Sequence, residues 1–400
     1  MSITDPAEPP GQWPVSEVGW DADPAVAGWS GLPALTEDLR AEVCVVGLGG
    51  SGLAAVGEVL RRGLSVVGLD AGRVAAGAAG RNGGFLLGGP AIGIHLAEAG
   101  WGLAAALELY HQTLAELAEL ARLLGPGVVR QVGSLRIAGL PGEPVDEFEE
   151  ADRKAELADC DEQYQALSRH GIAVRRYDGE LGSGLFLPDD AAMNPARRAL
   201  SLAARYSGQA RLYENSPVTA ISAGRVQTPG GAVSAGLVVA AVDGRLEVLL
   251  PELAGRVRTA RLQMLATEPA RPGRLPCPVY GRWGYDYAQQ DEAGRLFVGG
   301  GRDQFAEQEW TPQASPTEGV QAWIERVAAR FAGGPVVVSH RWAASVGYTE
   351  DGRPVVTEVR PGVIACGGYN GTGNLVGPIA ARAAVVLGLD GTAPAACFSS

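Results

Sequence analysis

Four hundred residues, 46% hydrophobic and 20% charged, form an ordinary globular composition with enough apolar content for a sizeable core spread over about two or three domains. A net charge of −12 argues against nucleic acid or an anionic membrane surface as a partner. The five cysteines (Cys44, Cys160, Cys277, Cys366, Cys397) are odd in number and lack C-x-x-C spacing, which speaks against a disulfide framework or a zinc site and for a reducing cytoplasm.

The chain starts MSITDPAEPPGQWP, without the basic start and apolar stretch of a signal peptide, and no run approaches the length of a membrane span. Residues 1–35 carry Pro, Gly and Trp without periodicity and read as an arm lying on the surface. EVCVV (42–46) reads as a buried strand, residues 50–62 as a helix and LSVVGLD (64–70) as a second strand, a βαβ opening. Residues 96–124, with Leu103, Leu107, Leu114, Leu117 and Leu120 at helical spacing, predict an amphipathic helix. Residues 143–167 predict a charged helix with a solvated face. From about 171 to 345, short β-rich pieces alternate with Gly/Pro turns, and residues 375–389 return to a small apolar helix. With no repeat and no linker in view, a second domain would be woven through the first.

Between the first strand and helix stands Gly47-Leu48-Gly49-Gly50-Ser51-Gly52, with Asp70 at the end of the next strand. In a βαβ unit the first glycine of such a G-x-G-x-x-G makes the tight turn, the second lets backbone approach a pyrophosphate, and the third lets helix pack on strand. The phosphates then meet the positive end of the helix dipole, and the acid is placed for a ribose. The alternative is a tight βα turn alone. A second glycine cluster, GVIACGGYNGTGNLVGPIAARAAVV (362–386), again runs strand, loop, helix, which a nicotinamide enzyme has little need of.

With VVGLGGSGLAA, GLDAGRVAAGAAGRNGG (68–84) and ACGGYNGTGN in place, the chain resembles the D-amino-acid oxidase family of FAD-dependent oxidoreductases from about residue 36 to 390. AGRNGG and DYAQQDEAGRLFVGGG look closest to its γ-glutamylputrescine oxidase branch. The resemblance implies an α/β fold of the glutathione-reductase-like type. A Rossmann-type FAD-binding domain (36–95, 190–250 and 340–392) would interweave with a β-rich substrate domain (96–189 and 251–339). It implies non-covalent FAD. Gly47, Gly49, Gly50, Ser51 and Gly52 would hold the pyrophosphate, with Asp70, Ala71 and Arg73 near the ribose and Val218 at the adenine. Ala79, Gly80, Arg81, Asn82, Gly83 and Gly84 would approach the flavin from one side, and Gly368, Asn370, Gly371, Thr372, Gly373 and Asn374 from another. Asp70 replaces the commoner glutamate, and Ala79 stands where similar chains often have serine.

The implied reaction is hydride transfer from the carbon beside an amine to the flavin, followed by imine hydrolysis, with oxygen or a quinone-type acceptor reoxidising the cofactor. The substrate would be a small amine or amino acid. This chemistry needs aim more than a strong base, and His95, His111, His170 and His340 show no ligand spacing. His340 opens HRWAASVGY beside the expected flavin site. Tyr285 and Tyr287, alternating with Trp283 on one expected strand face, and Trp342 and Tyr348 are candidates for an aromatic substrate wall; ordinary core is the other reading. Similar oxidases use a lysine above the flavin to activate oxygen, but Lys154, the only lysine, lies in the charged helix. Amino-acid oxidases of this kind clamp the substrate carboxylate with an arginine in W-x-G-x-R-P-x-T. Here Val346 and Gly347 occupy the arginine–proline pair, so a carboxylate-free amine is expected unless Arg282, Arg302 or Arg341 substitutes.

Overall fold

A computed structural model describes residues 18–399. Leu39–Val46 ends in the run Val43-Cys44-Val45-Val46, buried on both faces as parallel strands require. It pairs in parallel with Val66–Leu69 on one side and Gly231–Ala240 on the other. Arg211–Tyr213 extends the sheet beyond Val66–Leu69, and Val363–Gly367 joins the far half of Gly231–Ala240. The helices Gly50–Arg61 and Val376–Asp390 pack on each other against this sheet, putting both glycine loops at the same edge. The fold is thus α/β with a Rossmann-like parallel sheet.

A second sheet of eight described strands runs, in spatial order, from Val338–Tyr348 and Arg258–Thr267 to Gly182–Leu187 and Arg175–Gly179. Arg258–Thr267 and Val338–Tyr348 pair antiparallel over almost their whole length, bringing the end of the long strand back towards the first sheet. The helix Pro195–Tyr206 starts where chemistry favours it: the Asn194 side chain accepts from Arg197 N, and Pro195 occupies the first helical position.

Three sequence expectations are corrected. The segment read as a surface arm has residues 1–17 outside the described part, and its remainder enters the core. Trp20, 4% exposed, stacks on Phe297 with ring centroids 3.5 Å apart and donates from Nε1 to the Asn82 carbonyl at 2.9 Å. Isolated aromatics between prolines and glycines have no period to betray their burial. The helix expected over 96–124 is two helices, Ile94–Trp101 and Leu103–Leu124, divided at Gly102, whose φ of +86° no helix interior accommodates. The charged helix, Glu147–Arg169, turns Glu156, Cys160, Gln163, Ala166 and Leu167 inward. Glu156, 1% exposed, accepts from Gly139 N and Trp283 N, so a face that looked solvated carries a buried carboxylate satisfied by backbone donors.

Candidate cofactor and substrate site

A cavity of about 1230 Å³ runs from the first glycine loop, between the two sheets, to a cluster of aromatic residues. At the loop the close packing is extreme. Gly47 has φ +92°, and a Cβ there would fall 2.8 Å from the Ala241 carbonyl oxygen. A Cβ on Gly52 would fall 1.7 Å from the Gly47 carbonyl oxygen, so this glycine permits the turn itself and does not face the cavity. Gly49, Gly50 and Ser51 do line it, at the start of the Gly50–Arg61 helix, where first-turn amides lack intrahelical partners.

Asp70 lies at the cavity with its two carboxylate oxygens accepting from Leu48 N at 2.8 Å and Gly72 N at 3.0 Å. Burial, reinforced by Glu214 against these two amides, pushes its carboxyl up to about 6. Ala71 and Val218 line the same end. Arg73 does not: its guanidinium bonds Asp21 at 2.8 Å.

Mid-cavity, Asn82 and Asn374 exchange side-chain amide hydrogen bonds at 3.1 and 2.9 Å, while Asn374 Nδ2 also donates to the Phe85 carbonyl. This pair joins the two loops expected to flank a flavin. Ala79, Arg81, Asn82 and Gly83 line one side, and Asn370, Gly371, Thr372, Gly373 and Asn374 the other. Gly80, Gly84 and Gly368 lie behind the wall: a Cβ would meet Ala75 O at 2.1 Å, Met193 O at 2.2 Å and Thr349 Cγ2 at 2.7 Å respectively. Their smallness shapes the loops from outside.

The aromatic end departs from expectation. Trp283 sits in a single 3-10 turn, Arg282–Gly284, with φ +61°, whereas Tyr287 is on the strand Asp286–Gln290. They share no strand face, yet Trp283, Tyr285, Tyr287 and Tyr348 all reach the cavity. Tyr287 fills the space above Gly83 and Gly299, where a Cβ would come within 2.9 and 2.4 Å of its ring. Trp342 and His340 do not reach it. Trp342 is wholly buried core whose Nε1 donates to the Arg81 carbonyl at 2.7 Å, and His340 Nδ1 bonds Ser339 Oγ at 2.9 Å. Both lie in the first half of Val338–Tyr348, whereas Ala344, Ser345, Val346 and Tyr348, further along the strand, line the cavity.

Of the three arginines considered as a clamp, Arg282 is bound to Asp286 at 2.6 Å and to Asp303, and Arg341 to Glu325 at 2.6 Å. Arg302 lines the cavity, its guanidinium carbon 4.6 Å from the Tyr348 ring centroid, 5.3 Å from Trp310 and 5.8 Å from Tyr285. No carboxylate pairs with it among the described residues.

Sequence reasoning missed Asp243, Arg198 and a polar group of Arg136, Asp159 and Gln163 at the cavity's far end. Asp243, at φ +54°, accepts from Gly347 N, Gly368 N and Tyr369 N at 2.9–3.1 Å and ties the long strand to the second glycine loop. Its Asp-Gly dipeptide after a buried strand is a turn signal that could have found it. Arg198 carries no such signal; its guanidinium lies against Gly50 from a different helix.

The cradle fits a long cofactor with a diphosphate in its middle. Its glycine walls are where any Cβ would collide, and the buried Nε and Nη2 of Arg198 beside the loop have no hydrogen-bond partner among the described residues. No curated protein sequence matches the chain. Solved structures match its fold: L-proline dehydrogenase from P. horikoshii (16% identity, TM-score 0.69, 91% of this chain and 96% of that one) and glycine oxidase from Geobacillus kaustophilus (21%, 0.68, 90% and 97%). L-amino acid deaminase from Proteus vulgaris is similar at 17% identity and TM-score 0.65, over 90% of this chain and 94% of that one. The family model for FAD dependent oxidoreductases, DAO, matches residues 42–387, the span that holds both glycine loops and the cavity between them, and the chain belongs to that family.

Proposed function

We propose that this FAD-dependent oxidoreductase oxidises the C–N bond of a small amine, and that its substrate carries a carboxylate held by Arg302. Bound FAD supplies a two-electron acceptor, so that the substrate loses a hydride from carbon and a proton from nitrogen, and the imine hydrolyses to a carbonyl compound and a free amine. Gly47, Gly49, Gly50 and Ser51 would hold the diphosphate, Asp70 and Val218 the adenosine, and Asn82, Gly83 and Gly371–Asn374 the ring system. Tyr285, Tyr287 and Tyr348 exclude water from the reacting carbon and present ring faces to an amine cation.

The observation that carries the reading is Arg302. A guanidinium ringed by three aromatic side chains and paired with no acid among the described residues is suited to accept a carboxylate in a bidentate pair. The expectation of a carboxylate-free amine rests on Val346 and Gly347 replacing the usual arginine–proline pair; Arg302 offers that charge from the turn Arg302–Phe305, which follows the strand Leu296–Gly299 of the same sheet. The similarity to proteins named for proline, glycine and L-amino acids supports the same class. Cys366 is buried and off the cavity wall, which supports non-covalent FAD. Oxygen or a quinone-type compound would reoxidise it.

The test is an anaerobic panel of α-amino acids paired with the corresponding decarboxylated amines, scored by loss of the flavin's visible absorbance. Faster reduction by the carboxylated members supports the proposal. Faster reduction by the plain amines would return the reading to a carboxylate-free amine, and no reduction by either would remove C–N oxidation altogether.

A further inference from the structure

Gly50 is not one of the three glycines that G-x-G-x-x-G requires, and the reason for it lies across the fold. Arg198 projects from the helix Pro195–Tyr206, and a Cβ on Gly50 would fall 2.8 Å from its Nη1 and 3.2 Å from Cζ and Nη2. Any side chain at position 50 would displace the guanidinium. Arg198 is 1% exposed, and its Nε and Nη2 are buried without a hydrogen-bond partner among the described residues. The acid whose charge acts on it, Glu116, is bonded by Arg382. Burial lowers its pKa only to about 10, so the group stays cationic at neutral pH.

A buried cation with open donors and no acid of its own is costly unless an anion arrives. The start of the Gly50–Arg61 helix, with Gly49, Gly50 and Ser51 on the cavity wall, faces the same point. Its free amides and dipole attract anions. Two independent positive features therefore converge on one place, from two different helices.

We propose that Arg198 is a diphosphate ligand in this chain: its guanidinium, laid across Gly50, completes the anion site at the start of the Gly50–Arg61 helix and holds the FAD diphosphate. The proposal rests on the FAD site and not on the substrate. It has a corollary that a purely structural arginine would lack. With no anion bound, Arg198 is a liability, so removing it weakens the holoenzyme and leaves the flavin-free chain as stable as before or more so.

The experiment uses the full-length chain as purified and after flavin depletion, with Arg198→Met and Arg198→Lys. Titrations with ADP and with adenosine separate the phosphates from the base and ribose. Expected for Arg198→Met is an ADP affinity lower by about ten- to a hundredfold, an unchanged adenosine affinity, earlier loss of yellow colour on dialysis against salt, and an unchanged or higher melting temperature of the depleted chain. Arg198→Lys, which keeps the charge without the fork, should lose less. Unchanged ADP affinity in Arg198→Met, equal losses for ADP and adenosine, or a depleted chain that melts earlier or fails to fold would each overturn the proposal. A wild-type chain that bound neither FAD nor ADP would overturn the cofactor assignment, and this inference with it.

Discussion

Replacing Arg302 by methionine should separate substrates by whether they carry a carboxylate. Methionine keeps most of the side chain's length and its contact with Tyr285, Trp310 and Tyr348, so the cavity wall is retained. Loss of the cation over three rings should lower stability by roughly 1–2 kcal/mol. The effect on a carboxylated substrate is larger. Two charge-assisted hydrogen bonds contribute about 1.5–3 kcal/mol each, net of exchange with water. Arg302 is only partly buried, and solvent screening reduces the pair to about 3 kcal/mol, or roughly 100-fold in kcat/KM. The assay compares steady-state kcat/KM for an α-amino acid and its decarboxylated amine in both proteins. The amino acid should fall roughly 100-fold while the amine changes little, and Arg302→Lys should lie between, since an ammonium is a point charge without the planar fork. Equal falls for both substrates would mean that Arg302 shapes the cavity without recognising a carboxylate, and no fall for either would remove it from the site.

Asp190 accepts from Ser134 Oγ and Gly88 N, and burial raises its carboxyl from the ordinary 3.8 to about 7. The folded chain then holds a proton that the unfolded chain has released, so stability falls as pH rises through that window. Asp190→Asn keeps the acceptor for Gly88 N and can donate to Ser134 Oγ; chemical denaturation above neutral pH should show a gain of roughly 1–4 kcal/mol, and an unchanged pH profile would contradict the assignment. Gly52→Ala should abolish soluble, flavin-loaded protein because its Cβ meets the Gly47 carbonyl at 1.7 Å, whereas Gly208→Ala, with nothing within 4 Å, should express normally. Acid precipitation should leave a colourless pellet, since the five cysteines are buried and Ser345, not a cysteine, occupies the cavity wall; a yellow pellet would show a covalent tether. Stopped-flow reoxidation should be slower with oxygen than with a quinone, because Lys154 is exposed and paired with Glu150 at 2.6 Å; near-diffusive reaction with oxygen would refute this.

What could be read from residues alone was whatever depends on neighbours in the chain. The βαβ opening, the glycine turn and the terminal Asp70 are local, and each lies where the pattern put it. Direction within a strand was less legible. Trp342 and Tyr348, six residues apart, share one strand face, and only their neighbours elsewhere in the chain decide that Trp342 packs on Phe297 in the core while Tyr348 lines the cavity. Least legible were groups whose partners lie far away in the chain. Arg198 reads as one of three arginines on a helix until Gly50, well over a hundred residues earlier, turns out to lie beneath it. Trp20 similarly has no apolar period around it, and its burial follows from Phe297 and Asn82. Arg282, Arg302 and Arg341 are equivalent in sequence, and only the placement of Asp286, Asp303 and Glu325 leaves Arg302 without an acid.

The central claim, oxidation at a C–N bond, is tested most directly by the products of a single anaerobic turnover. The flavin-loaded chain is mixed with an excess of an amino acid that bleaches it, and free ammonia or amine and carbonyl product are counted against flavin reduced. One nitrogen product and one carbonyl product per flavin is the predicted result. Bleaching without nitrogen release, with oxidation confined to a C–O or C–C bond, would contradict it.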